Sequence, residues 1–113
     1  MTEKEKDLLI KDLCARLPYG VIIQIKDWTV LDAELKIGHI NRLQINDVEL
    51  KPYLFPMPSM TEEQYKEYWE LEHSGNMEHL SIPALDWLNK NHFDYRGLIP
   101  MGLAIDATNL NIY

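Results

Sequence analysis

The chain has 113 residues, with 18 acidic against 11 basic side chains and a net charge of -7. A chain of this length buries roughly two thirds of its unfolded surface, so one α+β or similar domain over residues 1–113 is expected, with no second core and no need of disulfides or metals. Its 46% hydrophobic and 26% charged content excludes an intrinsically disordered chain, and its acidity disfavours direct binding to phosphate backbones or anionic lipid.

No uninterrupted apolar run approaches the roughly 20 residues that span a bilayer. The charged start MTEKEKD lacks the apolar region of a signal peptide. The one cysteine, Cys14, has no partner for an internal disulfide, which agrees with a reducing compartment. No membrane association and a cytoplasmic location are therefore expected.

Thr2-x-x-Glu5 has capping-box spacing, so a helix should begin there. Ile10, Leu13, Cys14 and Leu17 fall at helical spacing and predict one apolar face, ended by Pro18 and Gly20. On this reading Cys14 is a core thiol; the alternative, a reactive cysteine, needs a nearby base or cation and solvent access. Val21 to Lys26 is rich in β-branched residues and reads as a central strand. Val30 to Ile37 alternates strictly, which places Leu31, Ala33, Leu35 and Ile37 on one face and Asp32, Glu34 and Lys36 on the other. Gly38 then allows a bend before a strand at Ile40 to Ile45. Asn46-Asp47 suits a two-residue hairpin turn into Val48 to Lys51, because both residues tolerate positive φ.

Lys51 to Ser59 carries Pro52, Pro56 and Pro58 and reads as an extended, rigid connector between two halves. Ser59-x-x-Glu62 and Thr61-x-x-Gln64 both have capping-box spacing, so a helix should start at one of them and run to about Glu72, before Ser74-Gly75-Asn76. Ser81 with Ile82-Pro83 opens a third helix, with Ala84, Leu85 and Leu88 on its buried side. Asn91-His92 falls where that helix should stop, the amide accepting left-handed geometry and an imidazolium favouring the negative helix end. Asp94 is placed to cap a short helical turn through Leu98 or Ile99, ended by Pro100.

The phrases DLCARLPYGV, KPYLFPMPSMTEEQ and DWLNKNHFDYRGLIPMGLAIDA cover much of the chain. In them the chain resembles a group of small proteins, without assigned activity, encoded by gut anaerobic bacteria of the Bacteroides type and by their phages and mobile elements. The resemblance implies a bacterial cytoplasm and a phage or mobile-element origin. It transfers no catalytic residue or cofactor.

Three constellations carry chemistry. Glu70, His73 and His79, with His92 and Asp94 to join them, contain metal-ligating types, but zinc needs three or four ligands converging on one point and this spacing does not define one, so no metal site is assigned. His92, Asp94, Tyr95 and Arg96 form the best catalytic candidate, with His92 as base and Arg96 as anion holder; junction residues of these types also cap helices and pair with each other. No G-x-S-x-G, P-loop, dinucleotide fingerprint or H-E-x-x-H is present, and no cofactor is expected. Tyr65, Tyr68 and Trp69 form an aromatic stripe on a helix whose Glu63, Glu67 and Glu70 face water. Together with Tyr53 and Phe55 of the proline-rich segment they are the candidate partner-binding residues, since tyrosine and tryptophan anchor binding hot spots.

The expected architecture is an N-terminal helix, an antiparallel meander of three or four strands, then two helices and a short helical turn packed on one sheet face. The expected function is a non-enzymatic accessory or regulatory factor that binds another protein. The alternatives are a small enzyme or ligand-binding domain built on His92 to Arg96, and an acidic inhibitor that mimics nucleic acid.

Overall fold

The computed structural model describes residues 1–72 and 82–113; Ser74-Gly75-Asn76, His73, His79 and Ser81 lie outside them. The fold is α+β, with four α-helices and a largely antiparallel five-stranded sheet among the described residues. Helix α1 (Glu3–Arg16) begins in the expected box: Thr2 Oγ1 accepts from the Glu5 amide at 3.1 Å, and Glu5 Oε1 accepts from the Thr2 amide at 2.8 Å. A 3-10 turn at Leu17–Tyr19 and Gly20, at φ +68°, carry the chain into β1 (Ile22–Lys26). Strand β2 (Val30–Glu34) returns antiparallel to β1 with Lys26 opposite Val30.

Helix α2 (Ile37–Gln44) stands where a strand was expected at Ile40 to Ile45. Ile40 and Leu43, three apart, are both buried, whereas Ile45 is 74% exposed, so the helical period wins over the local alternation. The Asn46-Asp47 pair then closes a helix rather than a hairpin. Asn46 takes φ +58°, its amide donates to Leu43 O, and the Asp47 amide donates to Arg42 O, a Schellman arrangement. Lys6, buried on α1, donates from Nζ to Gln44 O at 2.8 Å and to Asn46 Oδ1 at 3.0 Å, a cation placed on the negative end of α2.

The proline-rich segment is no connector. Strand β3 (Glu49–Pro56) runs through it as the centre of the sheet, antiparallel to β1 over Glu49 to Pro52 and parallel to two short strands, β4 (Phe93–Asp94) and β5 (Ile105–Asp106). Prolines fix extended φ, and the extended chain they favour is also a strand. After a 3-10 turn at Met57–Ser59, helix α3 (Glu62–Glu72) uses the second of the two predicted boxes, with Thr61 Oγ1 accepting from Gln64 N and Gln64 Oε1 from Thr61 N. Ser59 instead donates to Pro56 O. Helix α4 is Ile82–Lys90.

Alternation along β3 divides the interior, since successive side chains point to opposite faces. Leu50 and Leu54 join Leu9 and Leu13 of α1, Ile23 and Ile25 of β1, Ile40 and Leu43 of α2, and Leu98. Phe55 joins Trp87, Leu88 and Phe93, against which Tyr68 and Leu71 of α3 pack. Within this second cluster Trp87 stacks on Phe93 at 5.6 Å between centroids, and Tyr68 meets Trp87 at 5.9 Å.

Cys14 is exposed, contrary to the expected core thiol. The inward face of α1 carries Lys6, Leu9, Asp12, Leu13 and Arg16. Leu13 is fully buried, and Cys14 lies one residue, a rotation of about 100°, further round the helix. Ile10, Leu13 and Leu17 of the expected apolar face do pack in the core, so Cys14 alone departs from it, while the face also takes in three charged side chains, Lys6, Asp12 and Arg16, that hydropathy alone assigns to water. No helix among the described residues is long and apolar enough to cross a membrane.

Candidate functional site

The polar run after α4 is drawn into three arrangements by the turn that ends the helix. The Asn91 amide donates to Trp87 O and the His92 amide to Asn89 O, and it is His92, at φ +63°, that takes the left-handed position expected for the asparagine. This reversal sends the next residues back along β3, where Phe55 N donates to His92 O at 2.8 Å.

Asp94, buried, spends both oxygens on backbone: Oδ1 accepts from Leu98 N and Oδ2 from Ile99 N, each at 2.9 Å. It closes the turn that runs to Gly102 and delivers Leu98 to the core. Arg96 reaches back to α1, its Nε donating to Asp12 Oδ1 at 3.1 Å. Asp12 also accepts from Arg16 Nε at 2.8 Å and Nη2 at 3.2 Å, and Arg16 Nη2 donates to Phe93 O at 2.6 Å. Asp12 and Arg16 have no exposed surface. Tyr95 completes the group: its hydroxyl donates to Asn89 Oδ1 at 2.8 Å, and the guanidinium carbons of Arg16 and Arg96 lie 5.2 and 5.0 Å from its ring centroid. One carboxylate thus serves two guanidiniums, tying α1, α4 and the β4 segment together with charge-assisted hydrogen bonds.

His92 stands apart from Tyr95 and Arg96. Its ring stacks on Tyr113 with centroids 3.9 Å apart and planes 10° from parallel. Burial, with the positive charge of Arg16, lowers its pKa to about 4, so at neutral pH the ring is an imidazole and not the imidazolium expected for a helix end. Its Nδ1, like Nη1 of Arg16, is buried with no hydrogen-bond partner among the described residues. Tyr113 is held as well: its hydroxyl accepts from Ile22 N at 2.9 Å and donates to Tyr53 O at 2.7 Å. The β1–β3 register ends with Ile23 opposite Pro52, so this phenol occupies the place of the next rung. The four candidate catalytic residues are therefore divided between a capped turn, a buried ion network and an aromatic stack. Two clefts, of about 600 and 820 Å³, are lined by other residues, Leu43 and Leu50 among them in the first and Met57 and Tyr65 in the second.

Among the described residues no three His, Cys, Asp or Glu side chains converge on a point that could hold a metal ion.

The aromatic residues separate in the same way. Tyr53 is buried, its hydroxyl donating to Asp32 Oδ1 at 2.6 Å and accepting from Gln24 at 3.3 Å, and Phe55 packs between Phe93 and Tyr113. Tyr68 turns inward to Trp87, while Tyr65 and Trp69, separated by one helical turn, face outward at 58% and 48% exposure.

A more exposed apolar feature escaped the sequence reading. At the β1–β2 turn Trp28 is 99% exposed, and Val30 and Leu31 beside it are exposed too. The turn is built to stay in place: Asp27 Oδ1 accepts from the Thr29 amide at 3.1 Å, and Oδ2 accepts from Arg42 Nη2 at 3.2 Å, while Arg42 Nε holds Asp47 at 2.9 Å. The Thr29 amide and then Arg42 lower the Asp27 pKa, consistent with a carboxylate fixed at the base of the loop. The signal available was a tryptophan between two strands, in Asp27-Trp28-Thr29.

Neither protein-family models, nor curated proteins, nor solved structures give a match to this chain.

Proposed function

We propose that the chain is a protein-binding accessory or regulatory factor, of phage or mobile-element origin, that docks a cytoplasmic partner through the β1–β2 hairpin. The observation that carries this reading is Trp28, wholly exposed on a pinned turn with Val30 and Leu31 next to it. A lone exposed leucine is ordinary on a protein surface, but a tryptophan with 99% of its surface exposed is not. Tryptophan anchors recur at the centres of interfaces because one side chain brings a large apolar area at low conformational cost. Pinning the turn beforehand reduces the ordering cost of association. The enzyme reading has less support, because Asp94, Tyr95 and Arg96 are engaged with backbone, Asn89 and Asp12.

The test places a photoreactive benzophenone side chain at Trp28 and, separately, at Lys11 on the exposed side of α1. Irradiation in lysate of the source cells should give one heteromeric adduct, identified by mass spectrometry, from position 28 and none from position 11. Equal labelling at both positions, or none at either, removes the reading.

A further inference from the structure

The hairpin offers more than side chains. Strand β2 ends the sheet, and among the described residues it pairs with β1 alone. Its register with β1 sets Ile23 opposite Ala33 and Ile25 opposite Leu31, and the bond from Leu35 N to Val21 O continues that set. In an antiparallel ladder the residues that exchange bonds alternate, so Leu31 and Ala33 point their amides and carbonyls at β1 while Val30, Asp32 and Glu34 point theirs away. This edge has neither a proline nor a lysine among Val30 to Glu34, two common devices that blunt an edge strand. What it carries instead is acid: Asp32 and Glu34 lie on one face with Val30, and Leu31 lies on the other.

From this we infer that the β2 edge accepts an extended, basic segment of the partner as an additional antiparallel strand, which deepens the protein-binding reading above. The backbone supplies three outward N–H and three outward C=O groups, and the side chains set the pattern of the incoming strand. Directly opposite residues of neighbouring strands interact, so lysine or arginine belongs opposite Glu34 and Asp32, a small residue opposite Ala33, and apolar residues opposite Leu31 and Val30. Tyr53 engages only Oδ1 of Asp32, and Lys36 holds Glu34 through Oε2, so each carboxylate keeps a second oxygen for a cation. A second copy of this chain is the poorer occupant. Each copy carries a net charge of -7, and the register that would pair all of β2 with its symmetry mate sets Asp32 against Asp32.

The test uses the intact protein and the peptide acetyl-Gly-Lys-Ala-Lys-Val-Val-Gly-amide, which presents that pattern antiparallel to β2. At saturating peptide the amides of Val30, Asp32 and Glu34 should exchange with deuterium at least tenfold more slowly, while those of Leu31 and Ala33, already bonded to β1, change little. N-methylation of the two lysines and the second valine, whose amides would face β2, should abolish binding; N-methylation of the alanine and the first valine should leave it within threefold. The same peptide with glutamates for lysines should bind at least tenfold more weakly. Unchanged exchange at the three outward amides overturns the inference, as does indifference to which residues are N-methylated, or protection that comes from dimerisation without peptide. If the Trp28 photoadduct forms while these amides stay unprotected in the adduct, strand addition falls and the protein-binding reading stands; if neither occurs, both fall.

Discussion

Asp12 is the residue whose loss should cost the fold most for the smallest change in shape. Asp12→Asn keeps the volume but removes the charge that faces Arg16 and Arg96, and places an N–H₂ where an acceptor stood. Arg16 has no exposed surface, so its guanidinium would remain buried with neutral partners only: Phe93 O, the Tyr95 ring and at most one amide oxygen that Arg96 also needs. Removing one partner of a buried pair costs about 3–5 kcal/mol, against a whole-domain stability of about 5–15 kcal/mol. The unfolding entropy of a chain this long is about 0.24 kcal/mol/K, which converts the loss to a fall of about 12–20 °C in Tm. Urea unfolding followed by tryptophan fluorescence measures it, with Lys36→Ala as the internal control. Lys36 and Glu34 form an exposed pair, 68% and 50% accessible, so their loss should cost no more than about 1 kcal/mol. An Asp12→Asn loss as small as that of the control would refute the reasoning, because it would mean that Arg16 finds solvent in the folded state. The companion variant replaces the group together, Asp12→Leu with Arg16→Met and Arg96→Met. It should recover most of the loss, since exchanging the fully buried Asp12 and Arg16, with the partly exposed Arg96, for apolar packing gives back the desolvation of the two buried ions.

The stability of the domain should also depend on pH through His92. Its folded-state pKa of about 4 lies below the ordinary 6.5, so the unfolded chain binds the proton more readily. The stabilisation is complete above pH 6.5 and is lost as pH falls toward 4; urea midpoints between pH 7 and 4.5 should show it, and His92→Asn, which keeps a residue tolerant of positive φ, should flatten that slope. Tyr113→Phe should cost about 1–3 kcal/mol by urea unfolding, because Ile22 N and Tyr53 O both lose the hydroxyl between them. Asn46→Ala should cost about 1–2 kcal/mol for the left-handed backbone, with a further loss from Lys6, whose ammonium forfeits an acceptor; Asn46→Gly should restore the backbone part only. Cys14 should react with a thiol reagent in the folded protein as completely as in urea, and Cys14→Ser should change stability by less than about 0.5 kcal/mol.

Where local chemistry sets the structure, the residues themselves were sufficient. The boxes at Thr2 and Thr61 open helices because hydroxyl and carboxylate or amide groups three residues apart satisfy free amides without help from the rest of the chain. Asp94 was legible for the same reason, as a short carboxylate within reach of the amides that follow it. Ile40 to Ile45 was not legible, since apolar residues at 40, 43 and 45 fit a strand or a helix, and the choice came from what Leu43 meets in the core. The exposure of Trp28 was equally hidden, because it depends on where the rest of the chain packs relative to the β1–β2 turn.

Composition, caps and turn residues determined by themselves that this is an α+β fold entered through a capped helix, and that its C-terminal polar run includes a capped turn. These features depend on contacts a few residues apart. The tertiary structure alone decided that α1 buries Lys6, Asp12 and Arg16 and leaves Cys14 exposed, that the proline-rich segment is the central strand, and that Asp12, Arg16 and Arg96 share one site. Arg16 and Arg96 meet one carboxylate although 80 residues separate them in the chain. A buried charge is tolerable only once its counter-charges have been brought to it, and no local pattern records that they will be.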